Sequence, residues 1–237
     1  MNKEQIRIAI NYVKNGKAVV FPTDTAYGLG VDATNSKAVM RLFKIKKRRP
    51  TKPVHIVVSG FAMAKRYAKF SPQAEKLFRK FLPGKLTLIL PFKPPPSSLR
   101  ARLRRTRSVP PQMGEGSSYR TLSAGTGTIG IRMPKDKIAL GLVKKLGRPI
   151  TATSANISSA PTAYSVSQIK WQYRNKKLKP DFYLDGGKLN KVRPSTMVRL
   201  TGSRIEILRR GPITKKQILK CIISVSPNIS QSRRTAK

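Results

Sequence analysis

Three short polar segments of the chain carry residue types that can bind a small anionic ligand. Residues 22–30 follow an apolar stretch and contain threonines, a tyrosine and glycines, so a ligand can approach the backbone closely. Residues 44–50 are a run of cations, which pair with phosphates and carboxylates. Residues 149–156 include the hydroxyl of Ser154 and the amide of Asn156, which are neutral hydrogen-bond donors. Together the three segments favour a polar ligand with negative charge.

The cationic segment supports two interpretations. Lys46 and Arg48 stand two residues apart, and alternate side chains of an extended chain point to the same side. The pair would then clamp a polyphosphate or a carboxylate. A solvated basic helix end explains the same residues, because cations are favoured at helix C-termini. The residues alone leave both interpretations open.

The other two segments also have a simpler interpretation each. Ser154 and Asn156 would share a face at the end of a strand, but they could equally form a turn or cap a helix. The Thr and Asp residues at positions 23–25 could likewise stabilise a turn rather than touch a ligand.

Other chemical signals in the sequence are weak. Residues 125–130 read G-x-G-x-x-G, but a predicted strand rather than a helix follows them, which argues against a dinucleotide site. His55 lies in an apolar strand and fits a core position, and Cys221 fits an inert position in an apolar helix. The nine Asp and Glu residues are scattered and predict no metal site built by the protein, so a divalent ion would depend on substrate phosphates.

The elements that must position these residues alternate between helix and strand, which indicates a single α/β domain with a mixed sheet. Residues 93–125 interrupt the alternation with the composition of a flexible basic insertion, and residues 224–237 form a polar tail. We therefore expect one domain over residues 1–223. The predicted helices are an opening helix that ends before Gly16 and residues 36–45, 61–67, 72–81, 135–146 and 214–223; the predicted strands are residues 18–21, 53–58, 86–90, 128–133, 149–153, 182–184, 195–200 and 205–208.

The charge of the chain is extreme. Fifty Lys and Arg residues against nine Asp and Glu give a formal net charge of +41, which favours contact with polyanions such as RNA. A generally basic background explains the same charge. Apolar runs are too short to cross a bilayer, no secretory signal is evident, and a single cysteine excludes an internal disulfide. These features predict a cytoplasmic protein without membrane contact.

Several short motifs occur in one order along the chain. Residues 46–48 read K-x-R and residues 154–156 read S-x-N, and residues 21–30 read F-P-T-D-T-A-Y-G-L-G. Further matches are P-G-K-L-T at 83–87, T-I-G-I-R-M-P at 128–134, D-G-G at 185–187, S-T at 195–196 and L-R-R-G at 208–211. In this order the motifs resemble the YrdC/TsaC family of threonylcarbamoyl-AMP synthases over about residues 5–220.

The resemblance implies a fold and a reaction. The fold would be a single YrdC-like α/β domain, with a twisted mixed parallel/antiparallel sheet, flanking helices and a concave basic cleft. The reaction would form threonylcarbamoyl-AMP and pyrophosphate from ATP, L-threonine and bicarbonate, with Mg²⁺ carried on the ATP phosphates. The product would serve threonylcarbamoyladenosine modification of tRNA, so tRNA or the downstream tRNA threonylcarbamoyl transferase is an implied partner.

The resemblance also implies roles for individual residues. Lys46 and Arg48 would be catalytic and would bind the ATP phosphates. On the nucleotide side the expected residues are Ser154 and Asn156, with Ser123 and Arg209 as weaker candidates, and threonine is expected to contact Thr25, Tyr27, Arg132 and Ser195.

The sequence departs from the family pattern in several places. Asp24 stands where the family has Glu, and a one-residue shift would make Lys47 and Arg49 the K-x-R pair. Val57 occupies the position of a His found in longer members, so His55 inherits no role. Residues 97–120 exceed the usual loop and could cover the site or touch RNA, and the chain resembles the short form without an extra C-terminal domain. The alternative hypothesis is an RNA-binding module of the same fold without synthase activity.

Overall fold

The computed structural model describes residues 3–93, 116–202 and 204–223. The helices of this part of the chain are α1 (Lys3–Lys14), α2 (Ser36–Lys46), α3 (Phe61–Tyr67), α4 (Pro72–Phe81), α5 (Gly116–Ser123), α6 (Lys137–Leu146), α7 (Val166–Tyr173) and α8 (Lys215–Ile223). Its strands are β1 (Val19–Phe21), β2 (Gly28–Gly30), β3 (His55–Val57), β4 (Leu86–Pro91), β5 (Thr128–Arg132), β6 (Ile150–Ser154), β7 (Phe182–Tyr183), β8 (Thr196–Thr201) and β9 (Arg204–Arg209).

The described strands form one sheet in the order β7-β1-β2-β6-β3-β5-β4-β8-β9. Three neighbouring pairs run parallel, namely β1 with β7, β3 with β5 and β4 with β8, and the other pairs run antiparallel. The predicted mixed sheet with flanking helices is therefore confirmed. Strand ends that are far apart in sequence become neighbours in this order, which is what a site built from several motifs requires.

Local sequence signals fix the two helices next to the site. The Asn35 side chain accepts a hydrogen bond from the Ala38 N–H and starts α2, which ends where Lys47 adopts a left-handed conformation at φ 50°. Asp136 caps α6 in the same way, and Gly147 ends it at φ 72°, a conformation that glycine adopts without strain. The end of α2 lies within the K-x-R segment, and the end of α6 lies three residues before the strand β6.

A single hydrophobic core fills the space between the sheet and the helices. The strands β1 and β4 bury most of their side chains, and α1 packs against α6, α2 against α5, and α4 against α8. Burial of aliphatic side chains on this scale is the main favourable contribution to folding, at about 25 cal/mol per Å² of apolar surface. The core therefore provides a rigid platform for the strand ends.

The structure differs from the sequence predictions in three elements. Residues 28–30, expected to be loop, form β2, because the neighbouring strands β1 and β6 supply backbone partners on both sides. Residues 116–123 of the expected flexible insertion form α5, which buries Tyr119 and Leu122. Residues 166–173 form α7 behind a Ser165 cap, although their apolar spacing is weak.

The rest of the basic insertion and the polar tail lie outside the described residues, so the expectations for them stay predictions. None of the helices in the described ranges combines the length and the apolar character needed to cross a bilayer.

Candidate functional site

A cavity of about 550 Å³ opens where the strand ends meet. Its wall combines the loop between β1 and β2 with side chains of β3, β5, β6, β8 and β9. Seven of the predicted site residues line it, as do further arginine and histidine side chains. The predicted residues in the wall are Thr25, Tyr27, Arg48, Arg132, Ser154, Ser195 and Arg209.

A buried ion pair anchors Arg132, one of the side chains that line the cavity. Arg132, at the end of β5, donates from Nη2 to Asp24 Oδ1 and to Thr25 Oγ1, each at 2.7 Å. The Arg132 side chain is 13 % exposed and that of Asp24 is 7 % exposed. Arg132 Nε and Asp24 Oδ2 are buried and have no hydrogen-bond partner within the described part of the chain. The ion pair thus fixes the position of the Arg132 side chain at the cavity wall.

A second cation reaches the cavity from β9. Arg209 donates from Nε to the Ser195 carbonyl and from Nη2 to Ser195 Oγ, both at 3.0 Å. Ser195 Oγ also shares a 2.8 Å hydrogen bond with Thr87 Oγ1 of β4. Arg132 and Arg209 both line the cavity, and burial together with the nearby charge of Arg132 lowers the pKa of Arg209. Such a wall favours a ligand with negative charge.

The K-x-R segment places its two cations differently. Arg48 lines the cavity, and its Nη2 donates to the Pro53 carbonyl at 2.8 Å. Lys46 is almost completely buried behind the wall, where its Nζ donates to the carbonyls of Ser154 and Asn156. Lys47 and Arg49 are both exposed, so the geometry favours the Lys46 and Arg48 register over the shifted one.

The buried Lys46 amine ties two of the predicted motifs together. Burial, with a smaller effect of the Arg48 charge, lowers the pKa of Lys46 to about 7. The Asn156 amide donates to the carbonyls of Ile157 and Ala160, and its Oδ1 is buried without a partner in the described residues. The S-x-N segment therefore meets the K-x-R segment through its backbone, while Ser154 is exposed to the cavity.

Two other predicted residues are less directly placed. The Tyr27 hydroxyl lies 2.7 Å from the Gly187 carbonyl and accepts a hydrogen bond from the Gly186 N–H, so it braces the loop after β7. Burial raises the pKa of Tyr27 to about 12, and the phenol stays protonated. The Ser123 hydroxyl donates to the Arg120 carbonyl, and the Ser123 carbonyl accepts a hydrogen bond from Thr126, which lines the cavity.

His55 is a wall residue that sequence reasoning gave no role. Its ring packs against Gly130 of the adjacent strand β5, where a Cβ atom would lie 2.2 Å from His55 Cδ2. Burial lowers the pKa of His55 to about 3, and Arg209, Arg132 and Arg48 add to the effect. The imidazole is therefore neutral at physiological pH, so it can both donate and accept hydrogen bonds.

Sequence reasoning also gave no role to Arg199, Thr126 and Thr128 in the wall. Strand alternation could have found Arg199, because it lies two positions from Met197 on the same face of β8. Within residues 3–93, 116–202 and 204–223 there is no group of three or more His, Cys, Asp or Glu side chains that could hold a metal ion.

Comparisons with known proteins agree on one family. The Sua5/YciO/YrdC family model, described as "Telomere recombination", matches residues 11–211. The threonylcarbamoyl-AMP synthase of Pyrococcus abyssi is 35 % identical, and the match covers 98 % of this chain and 62 % of that protein. A putative threonylcarbamoyl-AMP synthase of Methanocaldococcus jannaschii is 32 % identical, and the match covers 93 % of this chain and 94 % of the relative.

Among solved structures, the crystal structure of P. abyssi Sua5 complexed with L-threonine superposes with a TM-score of 0.77 at 34 % identity. The match covers 95 % of this chain and 59 % of the Sua5 chain. This chain therefore spans less than two thirds of the Pyrococcus protein that it resembles.

Proposed function

The chain belongs to the Sua5/YciO/YrdC family, and on that premise we propose that it is an L-threonylcarbamoyladenylate synthase, a nucleotidyltransferase. The observation that carries the proposal is the convergence of three guanidinium groups, those of Arg48, Arg132 and Arg209, on one cavity. Guanidinium groups bind carboxylates and phosphates, which are the anionic groups of an amino acid and of a nucleotide. P. abyssi Sua5 has been crystallised with L-threonine, and we propose threonine for this cavity as well.

The reaction that we propose has two steps. The unprotonated amine of threonine attacks bicarbonate, a C–N bond forms, and water leaves to give a carbamate. A carbamate oxygen then attacks the α-phosphorus of ATP in line and expels pyrophosphate, leaving threonylcarbamoyl-AMP. The reactants are all anionic, so the chain's contribution is to hold them together and to offset their charge.

The threonine side of the site would be formed around Arg132. Its guanidinium group would meet the threonine carboxylate, and Thr25 Oγ1, already 2.7 Å from Arg132 Nη2, would contact the substrate from the adjacent loop. Ser195 and Tyr27 would complete this side, Tyr27 chiefly by bracing the loop at residues 185–187.

The nucleotide side would be formed around Arg48, which lines the cavity, with Ser154 and Arg209. This guanidinium-rich cavity would be the concave basic cleft that the resemblance implies. Asn156 and Ser123 belong to the proposed nucleotide side, although neither lines the cavity. Asn156 has a buried, partnerless Oδ1, and the Ser123 carbonyl accepts a hydrogen bond from Thr126, which does line it. Lys46 would bind the ATP phosphates if its amine turned away from the carbonyls of Ser154 and Asn156. We propose that Mg²⁺ arrives on the ATP oxygens.

The proposal is tested by pyrophosphate release. Release from ATP should require both L-threonine and bicarbonate, and mass spectrometry should detect threonylcarbamoyl-AMP. Arg132→Gln should raise the KM for threonine far more than the KM for ATP, because it removes the carboxylate donor. Release that is indifferent to threonine would overturn the assignment.

The proposed reaction also implies partners and a compartment. The product would be used on tRNA by a downstream threonylcarbamoyl transferase, and a cytoplasmic location would bring ATP and tRNA together. The names of the relatives do not favour the alternative of an RNA-binding module without synthase activity. An intact cavity without nucleotide turnover would revive that alternative.

A further inference from the structure

The helix α7 and the turn after it expose aromatic and cationic side chains together. Trp171, the single tryptophan of the chain, is 64 % exposed, and residues 174–179 are all exposed. The Arg174 guanidinium lies 4.1 Å from the centre of the Trp171 ring, and Lys170 Nζ lies 5.5 Å from the centre of the Tyr183 ring. The α7 patch, defined as Lys170, Trp171, Arg174, Lys176, Lys177 and Leu178, thus combines clustered positive charge with a largely exposed ring, one face of which Arg174 covers.

No carboxylate of the described residues neutralises the charge of the α7 patch. No Asp or Glu occurs between Asp136 and Asp181 in the sequence. Asp181 itself accepts hydrogen bonds from Arg41, at 2.9 Å from Nη2, and from the Ala18 N–H, and so it is occupied at the edge of the sheet. Within the described ranges, no patch cation takes part in an ion pair. An external polyanion is the natural counter-charge for this surface.

We propose that the α7 patch docks unpaired RNA, with a base stacked on Trp171 and adjacent phosphates held by Arg174, Lys176 and Lys177. A single strand offers planar bases and phosphates together, whereas a duplex hides its base faces and an acidic peptide offers carboxylates without planar rings. The choice of RNA over DNA rests on the proposed function.

The α7 patch is separate from the cavity, but the same helix is hydrogen-bonded to a loop next to the cavity. None of its residues lines the cavity. Gln172, on another side of α7, accepts a hydrogen bond from the Ile157 N–H and donates to the Pro161 carbonyl. The helix therefore holds the loop that follows Ser154, while Trp171 faces solvent. RNA docked here would lie beside the site without entering it.

The unique tryptophan makes the proposal directly measurable. Titration of the full chain with a short single-stranded adenylate RNA should quench Trp171 emission, and the affinity should fall with salt. Trp171→Ala, followed with a labelled RNA, should weaken binding by about tenfold, because base stacking on an aromatic ring is lost. Tyr183 and the rest of the chain stay intact in this variant, so the loss reports on the ring itself.

A matched pair of double variants distinguishes local docking from general attraction to a basic protein. Lys176→Gln with Lys177→Gln should reduce the slope of log affinity against log salt by about 1.4, at about 0.7 for each phosphate contact. Lys144→Gln with Lys145→Gln removes the same charge from exposed positions at the end of α6 and should leave the slope unchanged. Equal losses in the two variants would overturn the proposal.

Other ligands complete the test. Quenching of Trp171 by a duplex RNA or by polyglutamate as strong as that by the single strand would also overturn the proposal. Equal affinity for single-stranded DNA of the same sequence would overturn the choice of RNA. Pyrophosphate release should be unchanged in the Lys176→Gln, Lys177→Gln variant. Failure of that release in the wild-type chain would count against the proposed function alone, because the fluorescence titration does not depend on turnover.

Discussion

At the scale of single residues, Arg48 and Arg49 are neighbours with different surroundings. Arg48 lines the cavity and Arg49 is exposed to solvent. Arg48→Ala should lower kcat/KM for ATP by about a hundredfold or more, because a guanidinium that faces the transferring phosphoryl group is lost. Arg49→Ala, which removes the same charge one position away, should leave turnover unchanged. Equal losses in the pyrophosphate assay would contradict the register.

The buried Lys46 amine makes the stability of the protein depend on pH. Its pKa is lowered to about 7 in the folded chain, against an ordinary value of 10.5 in the unfolded chain. Between these values the unfolded chain binds more protons, so the free energy of unfolding rises with pH. Compared with Lys46→Met, the wild-type chain should gain up to about 1.4 kcal/mol per pH unit above pH 7.

This difference is measured by urea unfolding of both chains across the alkaline range. Taking the difference cancels the contribution of the tyrosines, whose raised pKa values act in the opposite direction at high pH. A parallel pH dependence in the two chains would show that the Lys46 amine stays charged in the fold.

The sequence motifs predicted which residues line the cavity better than they predicted what each residue contacts. Arg132, Ser195 and Arg209 were taken from motifs, and all of them line the cavity. The burial of Lys46 could not be predicted, because the acceptors of its amine are backbone carbonyls, which no side-chain pattern reveals. The cavity role of His55 was missed for a similar reason, since an apolar strand can still turn one face towards a polar cavity.

At the scale of elements, the contact between β3 and β5 depends on the absence of a side chain at Gly130. A Cβ atom there would lie 2.2 Å from the His55 ring. Gly130→Ala should therefore destabilise the fold by about 1–3 kcal/mol. In a His55→Ala background the same change should cost much less, because the ring that it collides with is gone.

A double-mutant cycle by denaturant unfolding measures this coupling. If Gly130→Ala cost the same in both backgrounds, the glycine would be required by the strand pairing rather than by His55.

The elements that escaped sequence prediction share a physical cause. The strand β2 contains two glycines and has little strand propensity, and it forms because β1 and β6 flank it. The helix α5 lies in a basic stretch, and burial of Tyr119 and Leu122 stabilises it. The helices α2 and α4 also pack into the core, but their apolar spacing and their caps, Asn35 and Ser71, are visible in the sequence, so both were predicted closely.

At the scale of the whole molecule, positive charge is opposed only by local pairs. Glu115 lies outside the described residues, and each of the other carboxylates is engaged. Six of them form ion pairs with arginine, Asp136 caps α6, and Asp185 accepts hydrogen bonds from the Gly187 N–H and the Tyr27 hydroxyl. The remaining cations repel one another across the surface.

Added salt should therefore stabilise this protein. Screening over a Debye length of about 8 Å weakens the repulsion among exposed cations more than the short, partly buried ion pairs. Calorimetry at rising potassium chloride should show a rise in Tm of about 2–4 °C for each kcal/mol of repulsion relieved. A fall in Tm would mean that the local pairs outweigh the repulsion.

The engagement of every described carboxylate has a practical consequence for anyone who purifies the protein. Because its own acids are tied up in caps and pairs, the counter-ions that balance the surface must be recruited from the lysate. We expect nucleotides and nucleic acid fragments to co-purify with the chain, and their ultraviolet absorbance would mask that of one tryptophan. A wash in concentrated salt, or on a resin that displaces bound nucleic acid, should therefore precede any RNA titration.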